Sequence, residues 1–195
     1  MTNTEKEYFH ATLSGCIQEF RPLSHFGTQE AAFETCLRKW INYRRQCHAG
    51  IHSVVAPYEV KVKINVNSQA LLRVDMDWGS PNILGIVRGL REHYRVSGRT
   101  DLFDQLSKIL RSNPPRSIVR DALWRFTGTP LEAFLNEQGI KVISYPNSIE
   151  GKRGEESICV IDPGVIQYSS AKQIHLEDLN AAAEPLRRYE PFAEW

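Results

Sequence analysis

The sequence predicts an α+β protein in which helices and strands occupy separate stretches of the chain. Apolar residues recur at helical spacing before residue 50 and again between residues 80 and 138, whereas they alternate with polar residues over residues 58–78. The regular alternation of strand and helix that builds a doubly wound parallel sheet is missing. We therefore expect two N-terminal helices, a β-hairpin, a central helical segment and C-terminal strands that join a mixed sheet.

Two amphipathic helices are expected first. The stretch from Thr4 to Glu7 resembles a capping box, and Arg21-Pro22 ends the apolar pattern that follows it. The apolar positions of this first helix are Phe9, Leu13, Cys16, Ile17 and Phe20. The second helix is expected over residues 28–50, because apolar residues keep the helical period along this stretch.

A β-hairpin is expected over residues 58–66 and 72–78, where apolar and polar residues alternate on both sides of Asn67-Ser68-Gln69. If both apolar sets face the core, the polar side chains of the two strands share the opposite face. Four charged residues would then lie together on that face: Glu59, Lys61, Asp75 and Asp77.

Short helices and then strands are expected in the rest of the chain. The first of these helices begins at Ser80-Pro81. The next three cover residues 100–111, 116–126 and 130–138, and the last covers residues 176–188. The strands cover residues 141–145, 157–161 and 165–168. We expect one compact domain over residues 1–195, with a division into 1–98 and 99–195 as the alternative.

Composition makes several classes of function improbable. The chain has 195 residues, with 24 Lys plus Arg and 23 Asp plus Glu, so its net charge of +1 gives no global attraction to nucleic acid. No apolar run approaches the roughly 20 residues of a membrane span, and the N-terminus does not resemble a secretory signal. We therefore expect a cytoplasmic protein without membrane contact, whose four cysteines are reduced core thiols. Because no glycine-rich phosphate loop is present, a nucleotide cofactor is not expected.

The polar face of the predicted hairpin is the first candidate for chemistry. Glu59-Val60-Lys61 resembles the Glu-x-Lys of metal-dependent nucleases of the restriction-enzyme type, in which carboxylates hold a divalent cation and a lysine positions the attacking water. In that pattern a separate acid precedes the Glu-x-Lys, whereas Asp75 and Asp77 follow it here. Ordinary cross-strand ion pairs are the alternative interpretation.

Cys47, His48 and His52 form a weaker metal candidate, since a thiolate and two imidazoles could bind zinc. A glycine interrupts the helix between the two histidines, and a fourth ligand would have to come from elsewhere, such as His10 or His25. A buried cysteine beside two partly exposed histidines at a helix end is the favoured interpretation.

Two further histidine patterns resemble parts of known signatures. Arg45 and His52 have the Arg-x6-His spacing of HEPN ribonucleases, but that family is all-helical, whereas a strand is expected just after His52. The stretch His10-Ala11-Thr12 resembles one half of the paired His-x-Thr signature of 2H phosphodiesterases, but no second pair stands on a comparable strand. Neither pattern predicts an activity by itself.

Two surface features indicate binding to another macromolecule. Arg88, Arg91 and Arg95 stand at helical spacing in an arginine-rich stretch, where they could meet phosphates or an acidic protein surface. The C-terminal tail places aromatic side chains among acidic ones, a composition suited either to packing on the body of the same chain, which is the favoured interpretation, or to docking into the groove of another protein. The candidate anchors of this tail are Tyr189, Phe192 and Trp195.

Because no complete catalytic set is visible, the sequence favours binding over catalysis. The leading hypothesis is a non-catalytic, macromolecule-binding subunit or regulator within a bacterial or phage protein assembly, with a protein as its partner. A metal-dependent phosphodiesterase or nuclease that uses Glu59, Lys61, Asp75 and Asp77 is the first alternative. A nucleic-acid-binding accessory protein is the second. No cofactor is expected, except a divalent metal under the first alternative.

Overall fold

The computed structural model describes residues 6–15, 17–48, 55–74, 83–111, 128–147, 151–152 and 154–185. Over these residues the strands are β1 (Lys6–Thr12), β2 (Ser24–Phe26), β3 (Tyr58–Ile64), β4 (Leu71–Arg73), β5 (Val142–Asn147), β6 (Glu155–Val160) and β7 (Ile166–Gln173). The helices are α1 (Gln29–His48), α2 (Ile83–Val96), α3 (Thr100–Leu110), α4 (Leu131–Glu137) and α5 (Leu176–Ala183). The predicted α+β class is confirmed.

β3 is the central strand of an antiparallel three-stranded sheet with the order β1-β3-β7. Its side chains alternate as the sequence predicts, because Val60, Val62 and Ile64 are buried whereas Glu59 and Lys61 are only half-buried. Both backbone edges of β3 are therefore occupied, one by β1 and the other by β7.

The second sheet has four strands in the order β2-β6-β5-β4, and it is mixed because β4 runs parallel to β5 while the other pairs are antiparallel. Both faces of its centre are buried. Ile143 and Cys159 pack on one face with the apolar sides of α2, α3 and α4, whereas Val142 and Val160 pack on the other face with residues of the first sheet. Burial on both faces explains why β5 begins with Val142 and Ile143 and why β6 ends with the apolar run 158–160.

The two sheets adjoin where β1 runs beside the end of β2. The backbone N–H of Phe9 donates to the carbonyl of Gly27 at 2.9 Å, and the N–H of Gly27 donates back to the carbonyl of Phe9 at 3.0 Å. α1 and α5 pack beside β1 through a cluster that includes Ala11, Cys36 and Leu179. This arrangement places the start of α1, the end of β5 and the start of β6 around one junction.

The expectation of a first N-terminal helix is wrong for the residues described. Lys6–Thr12 is a strand that pairs residue by residue with β3, and no helix follows it before α1. The apolar positions that suggested a helix pack at separate places, since Phe9 and Leu13 lie beside α1 whereas Phe20 lies against Phe26. Strand pairing outweighs a weak helical period here. The proposed capping residue Thr4 and Cys16 lie outside the described residues.

The expected β-hairpin is also wrong. β3 and β4 belong to different sheets, because the turn Ser68–Ala70, capped by the Asn67 side chain, leads the chain away from β3. The Oδ1 atom of Asn67 accepts a hydrogen bond from the N–H of Ala70 at 2.9 Å. With both edges of β3 occupied, β4 pairs with β5 instead.

The other elements follow the sequence closely. The long helix expected over 28–50 is α1, and those expected over 100–111 and 130–138 are α3 and α4. The three C-terminal strands are confirmed, and β5 and β6 belong to the mixed sheet as expected, whereas β7 pairs with β3 in the antiparallel sheet. The helix expected over 116–126 lies outside the described residues. Within the described part of the chain, no helix combines the length and hydropathy that a bilayer span requires.

Candidate functional site

The structure describes only two of the four residues of the nuclease hypothesis, and each of these two has a partner of its own. Glu59 lies on β3 and its carboxylate accepts a hydrogen bond from Gln29 Nε2 at 2.9 Å. Lys61 Nζ lies 2.8 Å from a carboxylate oxygen of Glu7 on the neighbouring strand β1. Asp75 and Asp77 lie outside the described residues, and β4, which precedes them, is in the other sheet. The hairpin geometry on which the hypothesis depended is therefore absent.

The zinc candidate has no support from geometry. Cys47 is half-buried near the end of α1, the side chain of His48 is outside the description, and so is the whole of His52. His10 and His25 lie instead at the junction of the two sheets. Among the residues that the structure describes, no group of three or more His, Cys, Asp and Glu side chains is placed to hold a metal ion.

Two of the described cysteines are core thiols, as predicted. Cys36 and Cys159 are buried and make no disulfide. Burial raises the pKa of Cys36 to about 11 and that of Cys159 to about 12, so neither is a thiolate at neutral pH. Neither residue is therefore a candidate nucleophile.

The arginine stripe on α2 is not an open row of cations. Arg95 Nε donates to both carboxylate oxygens of Glu92 at 2.9 Å. The guanidinium of Arg91 lies 6.0 Å from the ring centroid of Phe103, and its Nε is buried without a hydrogen-bond partner. Arg88 is exposed and has contacts of its own. The aromatic tail residues Tyr189, Phe192 and Trp195 lie outside the described residues.

A cleft of about 320 Å³ opens where β1, β2 and α1 meet. Polar side chains from five elements line it: His10 on β1, Ser24 and His25 on β2, Thr35 and Lys39 on α1, Tyr145 and Asn147 on β5, and Ser157 on β6. Apolar lining comes from Phe9, Leu23 and Phe26 among others. Small-molecule sites in proteins have this size and this mixture of apolar walls with a few convergent polar groups. We call it the histidine cleft.

His10 is held in one tautomer in this cleft. Its Nδ1 lies 2.7 Å from the backbone carbonyl of His25, and a carbonyl can only accept, so Nδ1 carries the proton. Burial lowers the pKa of His10; the hydrogen bond to His25 opposes this, and the charge of Lys39 adds to the lowering. The ring packs against Phe20 and Phe26, with centroids 5.6 Å and 5.5 Å away. His10 is therefore a neutral imidazole at pH 7, whose Nε2 has a free lone pair in the ring plane.

The other polar groups of the histidine cleft are tied to the mixed sheet. His25 Nδ1 and the Tyr145 hydroxyl share a hydrogen bond of 3.0 Å. Asn147 Nδ2 donates to Ser157 Oγ at 3.1 Å, and both side chains are buried. Buried polar side chains that are hydrogen-bonded to each other hold a fixed geometry, so this side of the cleft is preorganised.

Close packing fixes the wall formed by β2 and α1. A Cβ atom on Gly27 would lie 3.0 Å from Ser157 Oγ and 3.1 Å from the Cβ of Ala31, so only glycine allows β6 and α1 to approach this closely. Lys39 Nζ donates to the carbonyl of Ala11 at 3.0 Å, which holds its positive charge at the end of β1. None of the described residues that line the cleft is acidic. The charged group that lines the histidine cleft is therefore a cation, the ammonium of Lys39.

A second, larger cleft of about 690 Å³ lies on the other side of the start of α1 and has the opposite character. Its charged lining consists of Glu30, Glu59, Glu155, Asp178 and a single lysine, Lys172. The polar side chains that line this acidic cleft are all half-buried or exposed. It therefore lacks the buried, hydrogen-bonded polar groups that distinguish the histidine cleft, and we regard the smaller cleft as the candidate site.

No family model, no curated protein and no solved structure matches this chain. The candidate site therefore depends on its geometry alone. Sequence reasoning considered His25 only as an extra zinc ligand and did not consider Tyr145. It considered His10 as an extra zinc ligand and as half of a His-x-Thr pair. The one local signal was the His-x-Thr spacing of His10-Ala11-Thr12, which stands inside a helical period.

Proposed function

We propose that this protein binds a small anionic ligand in the histidine cleft. The observation that carries the proposal is the convergence of Lys39, His10, His25 and Tyr145 around one cavity in which no described lining residue is acidic. A cation in a partly desolvated cavity favours an anion, because hydrogen bonds to a charged group are stronger than those between neutral groups. His10 adds a donor to the site once its Nε2 is protonated.

The cleft also has the groups for proton transfer. The Nε2 atom of a neutral His10 could accept a proton from a bound hydroxyl, and the His25–Tyr145 pair holds a second imidazole in place beside it. Binding is the primary proposal, and a catalytic role for His10 would be an extension of it.

Titration of Lys39 variants with sulfate tests the proposal. We expect sulfate to bind wild-type protein with an affinity on the order of millimolar, at constant ionic strength, and Lys39→Gln to weaken this affinity by about fivefold or more. Lys108→Gln is the matched control, because Lys108 is also an exposed lysine on a helix but lies outside the cleft. Equal affinities for the two variants would refute the assignment of the anion to this cleft.

The non-catalytic, macromolecule-binding role in a bacterial or phage assembly stays a separate proposal that depends on sequence features. Its support is the aromatic composition of Tyr189–Trp195 and the exposed Arg88 on α2. Binding of nucleic acid would use the same arginines, of which Arg95 is paired with Glu92. Truncation after Arg188 tests the tail: loss of a co-purifying protein with unchanged folding would support docking through it.

A further inference from the structure

Leu23 has an unusual backbone conformation. Its φ is +67°, and it is the one non-glycine residue with positive φ in the part of the chain that the structure describes. It follows Pro22 in a turn that the N–H of Ser24 closes by donating to the carbonyl of Arg21 at 3.2 Å. A turn with Pro at the second position and positive φ at the third normally has Gly or Asn at that third position. Leucine there costs about 1–2 kcal/mol relative to glycine.

Burial does not explain the choice of leucine. The Leu23 side chain is 41% exposed, which makes it one of the few large apolar residues on the described surface. Its N–H donates to the carbonyl of Val160 at 2.7 Å, but any residue except proline could make that bond. Neither the turn nor the core therefore requires this side chain.

The position of Leu23 gives it a different use, since it lines the histidine cleft beside Ser24 and His25. We propose that Leu23 is a specificity-determining residue that forms an apolar wall for the non-polar part of the ligand. The inferred ligand class is then an anion with an apolar body: the anionic group meets Lys39, and the body lies against Leu23. This inference rests on the proposed function and narrows it.

Two sulfonates that differ only in their apolar part test the inference. Both keep a full negative charge across the working pH range, so the comparison isolates the contact with Leu23. Benzenesulfonate should bind wild-type protein roughly tenfold more tightly than methanesulfonate, since its ring buries apolar surface. In Leu23→Asn this preference should fall to about twofold or less.

The same variant separates a ligand contact from a packing role. Asparagine tolerates positive φ, so Leu23→Asn should unfold at the same temperature as the wild type or at a higher one. Leu176→Asn is the matched control, because Leu176 is 39% exposed and lies outside the cleft, and it should keep the preference for benzenesulfonate.

The outcomes distinguish the two proposals. If methanesulfonate binds in the cleft but benzenesulfonate binds no more tightly, the role of Leu23 is refuted and the anion site stands. A fall of several degrees in the unfolding temperature of Leu23→Asn would also refute it, since Leu23 would then be a packing residue. If neither sulfonate binds, the proposed function fails and the inference fails with it.

Discussion

At the scale of single residues, the histidine cleft depends on the protonation of His10. Burial disfavours the charged form of this imidazole, so its pKa lies below the ordinary value and the free protein has it neutral at pH 7. A bound anion favours the charged form. Proton binding at His10 and anion binding in the cleft should therefore strengthen each other.

Sulfate affinity should consequently rise as the pH falls. We expect a gain of about threefold or more between about pH 8 and about pH 5, a range in which sulfate itself does not titrate. His10→Gln keeps a donor for the carbonyl of His25 but does not titrate, so its affinity should depend less on pH. His93→Gln on α2 is the control. The same pH dependence in His10→Gln and His93→Gln would contradict the role given to His10.

Residue patterns could locate His10 as an unusual polar residue but not its partners. The carbonyl of His25 is 15 positions away in sequence and the Tyr145 hydroxyl, bonded to His25, is a further 120 positions on. No local period links residues at such separations. The hairpin on which the Glu59 and Lys61 hypothesis depended was wrong for the same reason, since it was a strand pairing inferred from local alternation.

At the scale of elements, the wall of the cleft depends on how closely β2 approaches β6 and α1. Gly27 is the residue of closest contact, directly after β2. β2 itself is only three residues long. Sequence patterns predicted α1 well because its apolar period is long. They did not predict β2, because it is only three residues long, and they did not predict β1, because its apolar residues follow a helical period rather than strict alternation.

Gly27→Ala should destabilise the protein by about 1–3 kcal/mol, because the new methyl group would press on Ser157 and Ala31. Chemical denaturation measures this change in the free energy of unfolding. Ser157→Ala removes the closest of the two contacts, so the double variant should lose at least about 0.5 kcal/mol less than the sum of the two single losses. Strictly additive losses would show that the close approach at Gly27 is not constrained by Ser157.

At the scale of the whole molecule, a carboxylate on β6 connects the two sheets. Glu156 accepts hydrogen bonds from Ser144 Oγ at 2.6 Å, from the Tyr8 hydroxyl at 3.2 Å and from Lys6 Nζ. Burial alone would raise the pKa of Glu156, but the hydrogen bonds from Lys6, Ser144 and Tyr8 outweigh it and hold the pKa below its usual range. Strands from both halves of the chain meet at this residue.

Glu156→Gln should lower the free energy of unfolding by about 1–2 kcal/mol at neutral pH. Because the pKa of Glu156 is lower in the folded state, its contribution is present above the unfolded pKa of about 4.3 and disappears as the pH falls through the folded value. The difference between variant and wild type should therefore shrink towards about pH 3. Urea unfolding at neutral pH and at about pH 3 measures this difference in the free energy of unfolding. Glu137→Gln on α4 is the control, because Glu137 is exposed. A constant difference would contradict an ionic role.

The overall architecture was only partly predictable. Apolar and alternating patterns gave the α+β class, the long helix and the C-terminal strands of the mixed sheet. They did not predict the division into two sheets, because β3 and β4 have the same alternation of apolar and polar residues. β4 pairs with β5 because β1 and β7 already occupy both edges of β3. The histidine cleft lies at the junction created by that division, so no sequence pattern could place it.

The most direct test of the anion site is a map of backbone amide shifts during a sulfate titration followed by NMR. The changes should concentrate around the histidine cleft, at residues 9–11, 23–28, 35–39 and 145–147. Changes concentrated on α2 around residues 88–95 would place the anion on the arginine stripe instead. Either that result or a map without any cluster would contradict the proposed function.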